Sequence, residues 1–378
     1  MKQIYFDNSA TTSIKSEVLN EMMPFLTTQY GNPSSLYTIG RKSKKAIENA
    51  RKQVAELINC DSKEIYFTAG GSESNNIALK AFAYANKDKG NHIITSKIEH
   101  SSILETCRYL QTQGFEVSYI NVDEQGFIKL DELQQSIKQS TIMISVMSAN
   151  NEIGTIQPIE EIAKIAHNHN IVFHTDAVQA IGNMAIDVRK IGIDMLSLSG
   201  HKIHAPKGIG AIYVKDGIKF DKIVNGGHQE KDKRAGTENV AGIVGLGKAC
   251  EIANKNMEKH IRNLSKLRNY YIKRIQKEIP NKIRINGSME KRLPGNANIS
   301  FQNINSSELI FKLDEMGICV SGGSACSSKS SLPSHVLSAI NVPEKYLNSA
   351  IRTTFGDNNT FEEIDFFINC LKKIILKV

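Results

Sequence analysis

Between Ala46 and about Tyr213, short apolar runs alternate with longer stretches whose apolar residues recur at helical spacing. The runs are Glu64-Ile65-Tyr66-Phe67, His92-Ile93-Ile94-Thr95, Thr141 through Val146, Ile171-Val172-Phe173-His174 and Asp194 through Leu198. Each is short and rich in β-formers, and flanking helices would cover both faces of the strands it makes. This pattern predicts an α/β fold: a buried, mostly parallel sheet flanked by helices. Such sheets bind ligands beyond the carboxyl ends of their strands, so the residues after each run are where chemistry is expected.

Those residues are polar in every case. Phe67 is followed by Thr68-Ala69-Gly70-Gly71-Ser72-Glu73-Ser74-Asn75, and Thr95 by Ser96 through Glu99-His100. Val146 leads to Asn150-Asn151-Glu152, His174 to Asp176 and Gln179, and Leu198 to Ser199-Gly200-His201-Lys202. A helix is expected over Glu73–Ala85 and a long lysine-rich one from Ala249 to Lys282. Beyond it, Asn298–Phe301, Leu309–Met316 and Thr360–Val378 predict the strands and helices of a smaller α+β lobe. The expected division is a large lobe over 15–250, with 1–14 and 251–378 forming the small one.

The 378 residues, 40% apolar and 23% charged, have ordinary globular composition, which excludes a disordered or fibrous chain. The first residues carry no secretory pattern and no apolar run is long enough to cross a bilayer, so a cytoplasmic protein is expected. A net charge of +8 comes from dispersed lysines. Runs such as Arg41-Lys42-Ser43-Lys44-Lys45 lack interleaved aromatics and predict a solvated helix face, with no nucleic-acid stripe. The six cysteines have no zinc or paired spacing. Cys60, Cys107, Cys250, Cys319 and Cys370 are expected to be small buried side chains. Cys326 alone lies in a Gly/Ser stretch, Ser321 through Ser331, of surface-loop composition, where an exposed thiol can be deprotonated and react.

Taken singly, most of the other signals are weak. Gly70-Gly71-Ser72 before a helix offers backbone N–H groups and a positive helix end to one phosphate, yet the same turn with an N-cap serine is common without a ligand. Lys202 at a strand's end could form a Schiff base, although most lysines, Lys207 included, are surface charges. Asp176 could cap a helix or face a protonated ring nitrogen, with Gln179 one helical turn on. His100 could pack, cap, or stack on a ring and move protons.

Together, these residues make the chain resemble the cysteine desulfurases of the NifS/IscS type, in class V of the fold-type I enzymes that use pyridoxal 5'-phosphate. The resemblance runs from Tyr5-Phe6-Asp7-Asn8-Ser9-Ala10-Thr11-Thr12 to Ser349-Ala350-Ile351-Arg352. Its most specific stretches are Gly31-Asn32-Pro33-Ser34-Ser35, Ser74-Asn75-Asn76, Asn150 to Gly154, Asp176 to Gln179, Ser199 to Lys202, Arg234 to Asn239 and Gly323 to Cys326.

The resemblance implies that Lys202 holds the cofactor, Asp176 faces the pyridinium nitrogen, Gln179 the ring hydroxyl, and His100 stacks on the ring. Gly71, Ser72, Ser199 and His201 would bind the phosphate, joined by Thr237 from the second subunit of a homodimer. Asn151 would lie by the ring and substrate, and Arg352 would take the carboxylate of L-cysteine. Cys326 would accept sulfur as a persulfide, with Lys202 and His100 as proton carriers, and pass it to an acceptor protein serving iron-sulfur assembly or tRNA thiolation. No intrinsic metal is implied, although Cys326 could transiently ligate a partner's iron-sulfur cluster. The chain departs from the family at Ser72, where threonine is more usual, and at His204, where an aromatic residue is. Its end at Val378, without the longer tail that housekeeping members use to dock an iron-sulfur scaffold, weakens the case for that particular partner. The alternatives are a class V aminotransferase or a selenocysteine lyase, or a non-catalytic module on the same fold. Cys326 argues against the first pair, and intact Lys202 and Asp176 against the last.

Overall fold

The structure is a computed structural model and describes residues 3–323 and 333–376. The strands among the described residues are β1 (Ile4–Tyr5), β2 (Ile65–Thr68), β3 (His92–Ser96), β4 (Glu116–Ile120), β5 (Thr141–Ser145), β6 (Val172–Asp176), β7 (Met195–Ser199), β8 (Gly210–Val214), β9 (Ile283–Asn286), β10 (Asn296–Phe301), β11 (Ile318–Cys319) and β12 (Ala350–Thr354). A seven-stranded sheet runs in the order β2-β8-β7-β6-β5-β3-β4. β8 runs against both of its neighbours, and every other pair is parallel. The expected sheet is therefore present, each expected run matching a strand to within two residues.

The apolar runs lack alternation because both faces are covered. Ile94, Ile144 and Leu196 face the layer that contains Val54, Ile58, Ile162 and Leu246. Their neighbours Ile93, Met143 and Met195 face Leu79, Phe82, Ile103 and Leu110 on the other side. A further core gathers Phe6, Tyr271, Ile299, Phe301, Ile351 and Phe367 around β9, β10 and β12.

Two helices differ from expectation. The first begins at Gly71, and its middle, Ile77–Ala81, is a π-helical turn between Gly71–Asn76 and Phe82–Ala85. The long helix spans Val240–Glu278, so it starts nine residues before the expected Ala249. Asn239 caps it, its Oδ1 accepting from Gly242 N at 3.1 Å. Its first turns are rich in glycine, which reads as a helix breaker in sequence. Packing explains them: a Cβ on Gly247 would lie 2.6 Å from Ala50, and one on Gly245 2.6 Å from Met22 Sδ. The glycines let this helix lie against helices Ser16–Thr27 and Thr38–Ile58. Residue 250, the expected lobe boundary, falls inside this one helix. Its early residues Ile243 and Leu246 join the sheet's core, and Leu264, Leu267, Tyr271, Ile272 and Ile275 join the core around β9, β10 and β12. Among the described residues no helix is long and apolar enough to cross a membrane.

Candidate active site

The carboxyl ends of β2, β6 and β7, with the segments after β3 and β5, open on one cleft of about 800 Å³, counted out to open solvent. Gly71, Ser72, His100, Asn151, Asp176, Gln179, Ser199, His201, Lys202 and Arg352 all line it. Nine of these predicted residues meet because parallel strands carry their ends to one edge, and Arg352 reaches the same cleft from β12 of the separate three-stranded sheet. Two predicted residues are not brought there. Thr237 is exposed and lies outside the cleft of its own chain. Cys326 lies outside the described residues.

Gly70, with φ +152°, turns the chain out of β2 so that Gly71 starts the helix. A Cβ on Gly71 would meet Val178 Cγ2 at 2.7 Å, so the absent side chain keeps the cradle open. Asp176, 6% exposed, ends β6. Its Oδ2 accepts from Asn75 Nδ2 and its Oδ1 from Val178 N, at 2.8 and 2.9 Å. These donors are neutral, and among the described residues no basic side chain pairs with Asp176. A buried carboxylate so placed fits a cationic ring nitrogen. Gln179 stands in a turn, not in the expected helix, and donates from Nε2 to Ser9 O at 3.0 Å. Lys202 follows β7 on a short 3-10 turn, and its Nζ donates to the carbonyls of Ser9 and Ala10 at 2.5 and 2.8 Å. His201 hydrogen-bonds Thr11 Oγ1 across 3.2 Å. Burial and the adjoining Lys202 and Lys207 push its imidazole down to about 4, leaving it neutral.

Arg352 of β12 is 1% exposed. It donates from Nη2 to Asp7 Oδ1 at 2.8 Å and from Nη1 to Asn151 O at 3.1 Å, while its buried Nε has no hydrogen-bond partner among the described residues. The guanidinium is thus held in place with donor capacity left over for an anion. Below Asn151, Glu152 is buried and its carboxyl is pushed up to about 7 by burial. Its Oε2 accepts from Ser334 Oγ at 2.8 Å. Glu99, beside His100, is likewise pushed up to about 8 by burial.

Residues that the sequence reading passed over complete the site. Asn75 and Ser102 link Asp176 to His100, and the carbonyls of Ser9 and Ala10 hold Lys202. Asn75 was visible in the Ser74-Asn75-Asn76 motif, but nothing in the sequence assigned it a partner. A second cleft of about 780 Å³ lies beside Lys202, lined by Lys15, Asn183, His204, His260 and Asp357, and it lacks the glycine cradle. The cysteine expectation needs correcting. Cys107, Cys250 and Cys370 are buried, whereas Cys60 and Cys319 are only half-buried. Cys60 follows a helix that ends at Ile58, and Cys319 sits on a two-stranded sheet with β1.

The fold and the cradle, carboxylate and lysine at one sheet edge define a class that binds a phosphorylated, ring-bearing cofactor. The aminotransferase class-V sequence pattern matches residues 4–367, and the chain belongs to that family. Within it, the chain is 51% identical over 376 residues to the cysteine desulfurase IscS of Clostridium botulinum, covering 99% of this chain and 94% of that one. It is also 51% identical to the cysteine desulfurase IscS of Methanosarcina thermophila, covering 100% and 93%. A solved NifS-like protein superposes over the whole of both chains, with a TM-score of 0.94 at 37% identity.

Proposed function

We propose that this protein is a cysteine desulfurase that converts L-cysteine to L-alanine and receives the sulfur as a persulfide on Cys326. The observation that carries the reading is the single cleft in which Lys202, Asp176 and the open Gly71 cradle meet a held arginine, Arg352. Pyridoxal phosphate, when bound, supplies an electron sink for the pair released as the substrate Cα loses its proton. In this reading the large lobe, 15–250, holds the cofactor. The small lobe, 1–14 with 251–378, brings Arg352 and Cys326.

The roles of the chain's residues follow from their chemistry. Lys202 would hold the cofactor through its amine, and that amine would carry the substrate Cα proton. Asp176 keeps the ring nitrogen protonated, Gln179 addresses the ring hydroxyl, and His100 covers the ring face. Gly71, Ser72, Ser199 and His201 hold the phosphate. Thr237 is exposed on its own chain, and its reach to the phosphate of a second copy would make the homodimer part of the site. Arg352 takes the substrate carboxylate while Asn151 lies beside it. The Cys326 thiolate attacks the substrate sulfur: an S–S bond forms, the Cβ–Sγ bond breaks, and the pair left on Cβ takes a proton to give alanine. The persulfide then passes to an acceptor protein, with iron-sulfur assembly and tRNA thiolation as the candidate destinations.

The test is direct. The purified protein should be yellow with cofactor, and Lys202→Ala should lose the colour. Cys326→Ala should keep the colour, lose sulfide release from cysteine, and show no trapped persulfide. Unchanged sulfide release in Cys326→Ala would overturn the mechanism.

A further inference from the structure

Asn75 is 1% exposed and spends both of its amide hydrogens. Nδ2 donates to Asp176 Oδ2 at 2.8 Å and to Ser102 Oγ at 2.8 Å, and Oδ1 has no hydrogen-bond partner among the described residues. Turning the amide over would set Oδ1 against the Asp176 carboxylate, two acceptors facing each other. The charge on Asp176 therefore decides which way Asn75 points.

The consequence runs on to Ser102. Its hydroxyl has one hydrogen, and since Oγ accepts from Asn75, that hydrogen is left for His100 Nδ1, 2.8 Å away. The Ser102 backbone N–H reaches the same nitrogen at 3.1 Å, because His100 is the N-cap of helix Ser101–Thr112. An N-cap side chain must accept. Two donors thus converge on Nδ1, one set by Asp176 through Asn75 and one by the helix, and a neutral imidazole with Nδ1 accepting carries its proton on Nε2.

We propose that Asn75 and Ser102 are positioning residues that transmit the charge of Asp176 to His100 and hold its imidazole in the Nε2–H form. The proposal deepens the functional reading and rests on it for the cofactor's place against His100. In this form His100 presents a hydrogen-bond donor to the cleft. Its Nδ1, the lone pair a base would need, is already taken by Ser102. Removing the Cα proton therefore falls to Lys202, and His100 acts on the reaction by stacking and donating.

Nitrogen-15 NMR of histidine-labelled full-length protein tests this, with His100→Gln assigning the signal among the ten histidines. The spectrum is recorded on the cofactor-loaded protein and again after the cofactor is stripped. The expected result in both is a His100 Nδ1 shift of the acceptor type and an Nε2 shift of the protonated type. Asn75→Leu should move the pair part of the way toward averaged values, because the freed Ser102 hydroxyl can then accept from an Nδ1–H while the backbone N–H still favours the acceptor form, and Ser102→Thr should keep the wild-type pattern. A protonated Nδ1 in the wild type, or a pattern unmoved in Asn75→Leu, would overturn the proposal. Ser102→Ala guards against misfolding of Asn75→Leu: it keeps the backbone donor but loses the hydroxyl, and should show a partial shift. An unmoved pattern there also counts against the relay. Because the stripped protein reports the tautomer without cofactor, failure of the relay is distinguishable from failure to turn yellow, which would defeat the functional reading alone.

Discussion

Replacing Glu230 by glutamine should unlock the segment that presents Thr237. Glu230 lies beneath a stretch whose residues Glu230, Lys231 and Asp232 have φ of +45°, +57° and +63°. Such conformations cost non-glycine residues free energy and persist only when their surroundings hold them. Here the hold is Arg51, whose Nη1 and Nη2 meet the two Glu230 oxygens at 2.7 and 2.8 Å, with both side chains 4% exposed. Glu230 Oε2 also accepts from Phe67 N at 2.8 Å, tying the segment to β2. In Glu230→Gln either amide orientation turns an NH2 toward a donor, because Oε2 serves two donors and Oε1 one. It also leaves the Arg51 charge buried with only the half-exposed Glu48 nearby. Breaking a buried pair in this way costs about 3 kcal/mol or more. In Arg51→Met/Glu230→Leu both charges go, and the main residual cost is the Phe67 N–H left without Glu230 and the Ile65 carbonyl left without Arg51, roughly 1 kcal/mol each. Urea unfolding followed by circular dichroism should therefore rank wild type above the double variant, and the double variant above Glu230→Gln. Limited proteolysis should cut Glu230→Gln faster near Lys231 and Lys233. A loss in Glu230→Gln below about 1 kcal/mol, or a double variant as unstable as the single, would refute the reasoning.

Other outcomes follow from the same contacts. The Glu152 carboxyl, pushed up to about 7 by burial, binds its proton more tightly folded than unfolded. Its stabilising effect is complete below the unfolded value and is lost as pH rises through about 7, on the order of 3 kcal/mol at alkaline pH. Glu152→Gln mimics the neutral acid and keeps the acceptor for Ser334, so its unfolding midpoint should fall less than that of wild type between about pH 4.5 and 7, the range from the unfolded to the folded value. Parallel midpoints for the two proteins would sink this account. Gly71→Ala places a methyl group in the cradle, 2.7 Å from Val178 Cγ2. Absorbance titration of stripped protein with pyridoxal phosphate should show affinity down by roughly tenfold, equivalent to one strong charge-assisted hydrogen bond, and undiminished affinity would count against the cradle. Asp7→Asn removes the charge that holds Arg352 Nη2, and should raise KM for cysteine more than it lowers kcat.

Much of the site was legible in the sequence because chemistry and periodicity coincide there. Lys202 and His100 follow buried strands and Asp176 ends one, and a run such as Met195–Ser199, apolar enough to be covered on both faces, declares the sheet without any partner being known. The links among these residues were not legible. Nothing local joins Asn75 to Asp176, 101 positions away, or Arg352 to Asp7, 345 positions away. The helix start at Val240 was hidden for a related reason, since glycine reads as a breaker until Ala50 and Met22 are seen to need the space.

What the sequence by itself determined is the local code. Strand runs buried on both faces require helical layers on either side, and residue types such as lysine, aspartate, histidine and cysteine limit the reactions available. The tertiary structure decided the partners. It set a neutral amide and a hydroxyl between Asp176 and His100, gave Lys202 to the carbonyls of Ser9 and Ala10, and buried Glu230 against Arg51. Hydrogen bonds and ion pairs depend on distances of about 3 Å between groups far apart in the chain, and only the packed sheet sets those distances.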